Sequence, residues 1–526
     1  MIKEEIKKII EKVIKGEVLN FSVETSSHAD YSSNVALILA KKENKNPRET
    51  AELIKTEIEK QKNKLFSKIE VVNGFINFYL SEKYLKEQVQ KVLKGKEKFG
   101  SSNIGKKQKI NVEFISANPT GPLTLGNGRG GFGGDVLAKV LEKAGYKVSR
   151  EYYINDIGAQ ITKLGHSVIG DEEAVYSGKY IEDLRKEIVG LPKSYNFKAE
   201  EIGEKAGKII LEKMIKPSVK RMGIKFDTWF SETTLYKNGV VDKTIAELTK
   251  KGFAYESEGA LWFKSSELGD DKDRVLIRED GVKTYFASDI AYLRNKFERG
   301  FDKLIIFLGA DHYGYVARLK AACQALGYNK ENVDAIVLQL VKLFENGKEV
   351  RMSKRTGIYV TIDELIDEVG LDVARFFFLQ RSLNTHFNFD MDLAKEKSDK
   401  NPVFKVQYAY ARINSIFAKS KIKAKTNNLD LLKEQSELEL IKQLIRFPEI
   451  IGDSANDYQL QRLPNYAIEL ADSFHKFYEK CRVVTEDKKL TEARLSLILA
   501  TKIVLENALK LMGISTPKEL KRNEAK

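Results

Sequence analysis

A short polar stretch at residues 350–355, VRMSKR, concentrates positive charge on Arg351, Lys354 and Arg355. Cations this close together could neutralise a polyphosphate, with Lys354 stabilising the phosphate charge and Arg351 or Arg355 assisting. A solvated basic turn is the alternative, because lysine and arginine are mostly exposed residues. The choice between them depends on how the chain holds the stretch and on what lies near it.

The residues on either side predict a loop that is fixed at both ends. Asn346-Gly347 is a strong signal for a two-residue hairpin, so a pair of strands leads into the basic stretch. Thr361 and Glu364 have the spacing of a capping box, which predicts that a helix starts directly after it. A charged loop held in this way could close over a bound triphosphate.

A second candidate for phosphate binding is the glycine-rich stretch ISANPTGPLTLGNGRGGFGGD, residues 115–135. It follows the predicted strand INVEFIS and precedes the helix pattern DVLAKVLEKAG. In that context Gly126, Gly128, Gly130 and Gly131 would let the backbone approach a ligand, and the helix N-terminus would offer N–H groups to phosphate. Tight packing of helix on strand without a ligand is the alternative. The stretch is neither a P-loop nor a GxGxxG dinucleotide fingerprint.

The elements that must position these stretches divide the 526 residues into three regions. Residues 1–105 indicate a small α+β unit with a hairpin at KIEVVNGFINFYL, and a change to Gly, Ser and Lys at 95–109 marks its end. Residues 106–375 alternate strand, helix and strand, as in a parallel sheet, with a more helical insertion at about 160–280. Strands disappear in 376–526, where apolar residues recur at helical spacing. The predicted fold class is α/β: a Rossmann-type parallel-sheet catalytic domain with an insertion, an N-terminal α+β domain and a C-terminal all-α helical bundle.

The composition excludes several classes of protein. Cys323 and Cys481 are the two cysteines and stand far apart, so neither a disulfide framework nor a thiolate zinc site is expected. No stretch approaches about 18 consecutive apolar residues, and the amphipathic N-terminus lacks the apolar region of a secretory signal. The formal net charge of +14 is compatible with a polyanionic partner. We expect a soluble, cytoplasmic protein without membrane contact.

The two phosphate-binding candidates resemble the paired signatures of class I aminoacyl-tRNA synthetases. PLTLGN is similar to the HIGH signature, with Thr124 and Asn127 at its two histidine positions, and RMSKR is similar to KMSKS, with Arg351 for the first lysine. VEFISANPTGPLTLGNGRGGFGGD looks most like the arginyl-tRNA synthetase version. The resemblance covers almost the whole chain in the family's domain order, which implies that the first domain contacts the tRNA elbow and the bundle binds the anticodon.

The replacement of both histidines changes what the nucleotide site can do. The family's histidines donate hydrogen bonds to the ATP phosphates. An asparagine amide and a threonine hydroxyl can each donate, but neither can carry a positive charge. We therefore expect Thr124, Asn127, Lys354 and Arg351 to act as positioned dipoles and fixed cations, without a histidine titration from this loop. The resemblance implies further ATP contacts at Gly126, Gly128, Gly309, Asp311, His312, Met352 and Ser353. A satisfied structural histidine is the alternative for His312.

The resemblance also implies where an amino acid binds. Its α-amino and carboxylate groups would meet three residues at the end of the first strand of the α/β sheet: Glu113, Ser116 and Asn118. Tyr285 and Asp289 lie four residues apart on a predicted helix and therefore share a face. Asp289 and Glu232 could hold a guanidinium in bidentate fashion, with Tyr285 as a wall. Acids on a helix surface are the alternative for both carboxylates.

The predicted bundle contains candidates for RNA binding in NPVFKVQYAYARINSI, residues 401–416. Tyr408 and Tyr410, beside Arg412, could stack on unpaired bases of a tRNA. Ordinary core aromatics on a helix are the alternative for either tyrosine.

The function implied by the resemblance is that of an arginine–tRNA ligase. L-Arginine and ATP–Mg²⁺ would give arginyl-adenylate and pyrophosphate, and the arginyl group would pass to the 3′ end of tRNA(Arg). Positioning and charge stabilisation suffice, without an enzyme nucleophile. A cysteinyl enzyme would need a thiol–zinc site, and enzymes for large aliphatic residues a bulky editing domain. The alternative of a different kind is a paralogue that binds tRNA without activating an amino acid. We expect a monomer without zinc, and a requirement for bound tRNA even in the first step.

Overall fold

The structure is a computed structural model that describes residues 1–16, 20–61, 63–189, 198–310, 314–350 and 361–520. Along these residues, no helix combines the length and the apolar character that crossing a membrane requires.

An α+β unit forms the N-terminal part of the chain. Its elements are α1 (Ile2–Val13), β1 (Val23–Thr25), β2 (Tyr31–Ser33), α2 (Val35–Glu43), α3 (Pro47–Lys60), β3 (Phe66–Val72), β4 (Phe75–Leu80) and α4 (Glu82–Gly95). The strands form an antiparallel sheet in the order β1-β2-β4-β3. Asn73 and Gly74 turn the chain between β3 and β4 with φ of 51° and 81°, as a two-residue hairpin requires. The predicted hairpin is confirmed.

The middle of the chain alternates strands and helices. Its elements are β5 (Lys109–Glu113), α5 (Leu125–Lys143), β6 (Lys147–Ile154), α6 (Ala159–Ile169), α7 (Lys179–Val189), α8 (Ala199–Ile210), α9 (Lys216–Arg221), β7 (Thr228–Ser231), α10 (Thr233–Lys237), α11 (Val240–Lys250), β8 (Ala254–Ser257), β9 (Ala260–Phe263), β10 (Arg274–Ile277), α12 (Tyr285–Glu298), β11 (Lys303–Gly309), α13 (Tyr315–Ala325), β12 (Val333–Leu338), β13 (Val341–Glu345), β14 (Lys348–Val350), α14 (Ile362–Val369), α15 (Leu371–Leu379) and β15 (Phe387–Asp390). Five of these strands form a parallel sheet in the order β12-β11-β5-β6-β7, which confirms the predicted Rossmann-type core.

The parallel sheet brings distant residues to one edge. Glu113 ends the central strand β5 and stands opposite Ile306 of β11 and Glu151 of β6. The chain leaves β7 at Ser231 and β11 at Gly309 on the same side. Ligands of open α/β sheets bind outside the carboxyl ends of the strands, so this edge is where a site is expected.

Three local predictions about the middle region are wrong. The helix after β5 starts at Leu125, ten residues before the predicted DVLAKVLEKAG, because Thr124 and Asn127 cap it there. The segment VDAIVLQLVKLF continues the strand–helix–strand pattern in the sequence, which predicts one further strand of the parallel sheet, but it divides into β12 and β13, which belong to different sheets. Strand β7 lies inside the predicted insertion at about 160–280 and yet pairs with β6 of the central sheet.

A fourth correction concerns the region after residue 376, which was expected to lack strands. Strand β15 is there and pairs in parallel with β13, next to β14. Its four residues FNFD alternate between buried and exposed, a period-2 pattern too short to stand out between two helices. The predicted domain boundaries themselves stay predictions.

The predicted bundle is confirmed as the C-terminal part of the chain. Its helices are α16 (Met391–Lys395), α17 (Pro402–Lys419), α18 (Gln435–Asp457), α19 (Arg462–Lys480) and α20 (Lys488–Met512). Gly513 ends α20 with φ of 69°, the left-handed conformation in which glycine commonly caps a helix. The N-terminal unit rests on α18, where the Glu449 carboxylate accepts hydrogen bonds from Lys3 N at 2.8 Å and the Tyr31 hydroxyl at 3.1 Å.

One buried guanidinium joins the bundle to the central domain. Arg375 on α15 is fully buried and forms an ion pair with Asp135 of α5. Its Nε donates to the Met512 carbonyl at 2.7 Å and its Nη1 to the Met222 carbonyl at 2.7 Å. The ends of α20 and α9 are therefore tied to the helix that starts at the candidate site.

Candidate active site at the carboxyl edge of the sheet

A cavity of about 440 Å³ opens at the carboxyl edge of the parallel sheet. Five residues singled out in the sequence lie in its wall: Ser116, Asn118, Thr124, Asn127 and Gly309. Opposite them are four residues from α6, α7 and the segment between these helices that sequence reasoning missed: Gln160, Tyr176, Ser177 and Tyr180. A larger cavity of about 500 Å³ lies between β4 and α18 and contains none of the predicted site residues.

The backbone directly after β5 is strained. Ile115 and Ser116 have φ of 67° and 39°, and a left-handed conformation is unusual for a β-branched residue. Strand β6 holds the loop in place, since Ser116 Oγ accepts a hydrogen bond from Tyr153 N at 3.1 Å and the Tyr152 hydroxyl donates to the Ala117 carbonyl at 2.9 Å. This sharp turn brings the following residues into the cavity wall.

Thr124 and Asn127, at the histidine positions of the HIGH-like stretch, bind each other. Asn127 Oδ1 accepts hydrogen bonds from Thr124 N and from Thr124 Oγ1, both at 2.9 Å. The threonine hydroxyl thus donates within the protein, which corrects the expectation that it donates to phosphate. Asn127 Nδ2 and the N–H groups of the first turn of α5 remain as donors at this end of the helix.

Most of the glycines in the glycine-rich stretch serve helix packing. Gly128, Gly130 and Gly131 are buried, and a Cβ on Gly128 would lie 2.4 Å from Ile362. The prediction that these three let a ligand approach is therefore wrong. Gly126 is exposed, and a Cβ there would meet nothing nearer than Thr124 Oγ1 at 3.7 Å. It is the one glycine of the four that faces open space.

The residues of the predicted basic loop, Arg351, Met352, Ser353, Lys354 and Arg355, lie outside the described residues, as do Asp311 and His312. Both predicted flanks of the basic loop are confirmed. Asn346 and Gly347 turn the chain between β13 and β14. Thr361 Oγ1 accepts from Glu364 N at 3.1 Å, and Glu364 Oε2 accepts from Thr361 N at 2.7 Å, which is a complete capping box at the start of α14.

Both flanks are fastened to α5. On one side Thr361 forms a β-bridge with Thr124, and Ile362 N donates to the Leu123 carbonyl at 3.0 Å. On the other side the fully buried Arg129 donates from Nη1 to the Gln339 carbonyl at 2.9 Å, just before β13. The described segments on both sides of the second signature stretch are thus in direct contact with the first signature stretch and its helix.

Three carboxylates face Tyr153 at the same edge of the sheet. Burial raises the pKa of the Tyr153 hydroxyl, and the charges of Glu232, Asp289 and Glu113 raise it further. Glu232 is 2% exposed, so it is not a helix-surface acid. Asp289 is half-buried and accepts a hydrogen bond from the Tyr315 hydroxyl.

Two of these carboxylates are desolvated and are not paired with a described cation, although the charge of Lys296 acts on Asp289. Burial, reinforced by Asp289, raises the pKa of Glu232 to about 7. Burial also raises the pKa of Asp289 to about 6, although the hydrogen bond from Tyr315 acts in the opposite direction. Neither forms an ion pair with any residue that the structure describes. Two desolvated carboxylates side by side favour a bound cation, and a guanidinium can satisfy both with its planar donors.

Tyr285, the predicted wall residue, stands at the rim. It is the first residue of α12, is 46% exposed, and its hydroxyl would lie 3.2 Å from a Cβ on Gly158. Asp289 follows one turn later on the same helix, so the predicted common face is confirmed.

The predicted RNA-binding tyrosines have different environments. Tyr408 is half-buried and Arg412 lies over its ring at 4.9 Å from the centroid, with Tyr478 at the same distance on the other side and His475 stacked on Tyr408. Tyr410 is 5% exposed and donates its hydroxyl proton to Glu506. Its ring is therefore in the bundle core and cannot stack on a base, which corrects that prediction.

No group of three or more His, Cys, Asp and Glu suited to hold a metal ion occurs in the part of the chain that the structure describes.

Three protein-family profiles match the chain. "Arginyl tRNA synthetase N terminal domain" matches residues 1–80, "tRNA synthetases class I (R), catalytic domain" matches 88–384, and "DALR anticodon binding domain" matches 406–520. The second profile alone covers more than half of the sequence.

Curated relatives match over nearly the full length. The chain is 45% identical to the arginine–tRNA ligase of Carboxydothermus hydrogenoformans, over 94% of this chain and 92% of that protein. It is 43% identical to the arginine–tRNA ligase of Bacillus subtilis, over 99% and 98%.

Solved structures also match. A putative arginyl-tRNA synthetase from Campylobacter jejuni is 34% identical, with a TM-score of 0.76 over 84% of this chain and all of that one. Thermus thermophilus arginyl-tRNA synthetase, at 20% identity, has the same fold with a TM-score of 0.78 over 99% of this chain.

Proposed function

The chain belongs to the arginyl-tRNA synthetase family, and we propose that the cavity at the carboxyl edge of its sheet is where L-arginine is activated and passed to tRNA(Arg). The chain is an aminoacyl-tRNA ligase of class I and uses ATP.

The guanidinium of arginine binds between Glu232 and Asp289. This proposal rests on one observation above the others: two carboxylates are desolvated, have raised pKa values and form no ion pair with a described residue, and the charge of Asp289 acts on Glu232. A lysine ammonium would match such a pair poorly, since it lacks the planar fork that engages carboxylates in bidentate fashion. Tyr285 covers the ligand from the rim, while Glu113, Ser116 and Asn118 receive its α-amino and carboxylate groups.

ATP binds at the start of α5, with Mg²⁺ entering as part of the nucleotide substrate. Asn127 Nδ2 and the N–H groups of the first helical turn donate to the phosphates, next to exposed Gly126. Lys354 and Arg351 supply positive charge from the loop whose flanks are fastened to Thr124 and Arg129. Gly309 and the adjoining Asp311 and His312 contact the adenosine.

The reaction proceeds by two displacements. The arginine carboxylate attacks the α-phosphate, which forms arginyl-adenylate and releases pyrophosphate. A hydroxyl of the terminal adenosine of the tRNA then attacks the arginyl carbonyl, and AMP leaves. Charge that develops on the phosphates is stabilised by fixed dipoles and cations, and no covalent enzyme intermediate is required.

The tRNA is held by the outer domains. The anticodon stacks on the cluster formed by Tyr408, Arg412, His475 and Tyr478, in which ring faces and a guanidinium lie close together at the surface of the bundle. The N-terminal unit contacts the elbow of the tRNA. A monomeric state and a cytoplasmic location stay predictions.

Exchange of pyrophosphate into ATP tests the proposal. Each of the twenty amino acids is assayed with and without tRNA(Arg). We expect exchange only with arginine, and only when tRNA(Arg) is present. Asp289→Asn should raise the KM for arginine about tenfold or more, because one charged hydrogen-bond acceptor is lost.

Glu298→Gln is the matched control, since Glu298 lies on the same helix, is exposed, and pairs with Arg294. It should leave the KM unchanged. Absence of exchange with all amino acids, together with tight tRNA binding, would instead identify a tRNA-binding paralogue without activation activity.

A further inference from the structure

Lys296 is a fully buried lysine whose ammonium meets the carboxylate at the end of the central strand. It lies on α12, and its Nζ is 2.5 Å from Glu113 Oε2. A buried ion pair adds little net stability, because the loss of hydration roughly cancels the attraction. Net stability therefore does not explain why a lysine lies here, although removing one partner of the pair would leave a buried charge unpaired, and its effect on Glu113 is the feature to explain.

Glu151, the buried carboxylate on the neighbouring strand, is paired with a different cation. Glu151 on β6 is fully buried and accepts hydrogen bonds from both terminal nitrogens of Arg299, at 2.6 and 2.7 Å. Lys296 also lies 4.3 Å from the centre of the Tyr292 ring, a cation–π contact. Its one ion-pair partner in the described ranges is Glu113.

The titratable groups that face Glu113 come from three directions. Helix α12 contributes Lys296, Asp289 and Tyr292, strand β6 contributes Tyr153 and Glu151, and Arg299 lies beyond α12. Strand β11 presents an apolar residue, Ile306, at this level. Of the three carboxylates around Tyr153, Glu113 is the one whose charge is balanced.

The two ends of helix α12 that cover the sheet edge therefore differ in charge. Asp289 and Lys296 are seven residues apart, which is two turns, so both lie on the face that covers the sheet edge. At the Asp289 end the carboxylate feels the charge of Lys296 but is in ion-pair contact with no cation that the structure describes. At the Lys296 end Glu113 has Oε2 engaged, and Oε1 accepts no hydrogen bond from a described residue.

We propose that Lys296 is a positioning residue for the α-ammonium group of arginine, because it holds Glu113 as an oriented anion with one oxygen left for the ligand. The inference rests on the proposed function and explains how bound arginine is oriented, with its guanidinium at Asp289 and Glu232 and its α-ammonium at Glu113. Lys296 itself touches no substrate.

The test compares arginine with 5-guanidinopentanoate, which is arginine without its α-amino group. The KM for arginine and the inhibition constant of the analogue are measured in the exchange assay with tRNA for the unmodified protein, Lys296→Met and Lys296→Gln. Loss of the ammonium should raise the KM for arginine about tenfold or more. The inhibition constant of the analogue should change less than about twofold, since its guanidinium still finds Asp289 and Glu232.

Two further variants separate positioning from structure. Lys296→Arg keeps a cation beside Glu113 and should restore most of the arginine affinity. In a Glu113→Gln background, Lys296→Met should add little to the KM, because residues that act through one another are not additive. Thermal unfolding of each variant shows whether it is folded, and Lys296→Gln, which can still hydrogen-bond Glu113, serves if Lys296→Met is not.

Equal weakening of arginine and analogue would overturn the inference, since Lys296 would then support the pocket as a whole. Unchanged binding of both in a folded variant would overturn it as well. Failure of the proposed function has a different signature, because the unmodified protein would then show no exchange with arginine.

Discussion

Glu232 and Asp289 differ from Glu113 and Glu151 near the sheet edge in that both are desolvated and form no ion pair with a residue in the described ranges. Their pKa values of about 7 and about 6 exceed those of an unfolded chain, so the folded protein binds more protons between about pH 4 and about pH 7. The stability contributed by the protonated carboxyls is present at low pH and is lost as the pH rises through the folded pKa. Binding of a guanidinium has the opposite dependence, because it requires the ionised forms.

The KM for arginine should therefore rise about tenfold between about pH 8 and about pH 6. The measurement is the exchange assay at saturating ATP and tRNA over this range. Glu298→Gln should keep the slope, whereas Glu232→Gln should reduce it. A KM that is independent of pH in the unmodified protein would contradict the assignment of the guanidinium to this pair.

The two tyrosines of α17 offer a second experiment on single residues. Tyr408→Ala removes a half-buried ring from the cluster with Arg412 and His475, so binding of tRNA(Arg) should weaken by about 1–3 kcal/mol. Tyr410→Ala removes a ring from the core and should instead lower the free energy of unfolding by about 3–5 kcal/mol.

Filter binding with tRNA(Arg) and urea unfolding measure the two effects. Tyr408→Ala should mainly affect tRNA binding and Tyr410→Ala should mainly affect stability, so each variant is the control of the other. If both variants are folded and weaken tRNA binding equally, the expectation from the sequence that Tyr410 stacks on a base would be restored.

At the scale of elements, helix α5 depends on the absence of side chains at several buried positions around its circumference. A Cβ on Gly134 would lie 2.2 Å from Cγ of Phe114, a buried ring that packs at 4.6 Å from Phe226 and 6.1 Å from Phe307. Because rings on both sides prevent Phe114 from moving, Gly134→Ala should destabilise the protein by about 2–3 kcal/mol. Urea unfolding measures the change.

Gly126→Ala is the matched control on the same helix. Its Cβ would meet nothing nearer than 3.7 Å, and alanine favours a helix over glycine by up to about 1 kcal/mol. Unfolding should be unaffected or require more urea. If Gly126→Ala and Gly134→Ala had the same effect, packing would not be the reason for the glycines.

Sequence reasoning succeeded at this scale where the signal is local. The turns at Asn73-Gly74 and Asn346-Gly347 and the cap at Thr361 each follow from residues within a few positions. The start of α5 was missed because its glycines favour a loop in isolation, and only packing against Phe114 and other side chains makes them helical.

The site could be predicted from sequence only in part. Asn118, Asn127 and Gly309 meet at one cavity as the signatures implied. Lys296 was missed because its partner Glu113 is 183 positions away, and no spacing within α12 signals that contact. The hydrogen bond from the Thr124 hydroxyl to Asn127 Oδ1 was missed for a related reason, since residue types alone do not show to which acceptor a hydroxyl donates.

At the scale of the whole molecule, Arg375 is the contact on which three helices depend. Arg375→Met would leave two buried backbone carbonyls without their donor and would reduce the partners of the buried Asp135 carboxylate to Lys139. Such a loss costs about 3–5 kcal/mol. Lys510→Met removes a half-exposed cation from surface pairs and should cost less than about 1 kcal/mol.

Thermal unfolding followed by circular dichroism compares the two variants. We expect Arg375→Met to unfold at a markedly lower temperature and over a broader range, because the bundle and the central domain lose a shared contact. A melting curve equal to that of Lys510→Met would show that the junction is unimportant to the assembly of the domains.

The fastening of Arg375 to α5 also bears on how the enzyme chooses its RNA. Helix α5, which begins at Leu125, is joined through Asp135 and Arg375 to Met512, the last residue of a bundle helix. Any coupling free energy carried through this contact acts equally on binding at both ends. The factor by which a bound anticodon raises the affinity for arginine is also the factor by which bound arginine raises the affinity for that anticodon. Discrimination between tRNAs should then sharpen when the cell is rich in arginine and relax when it is starved.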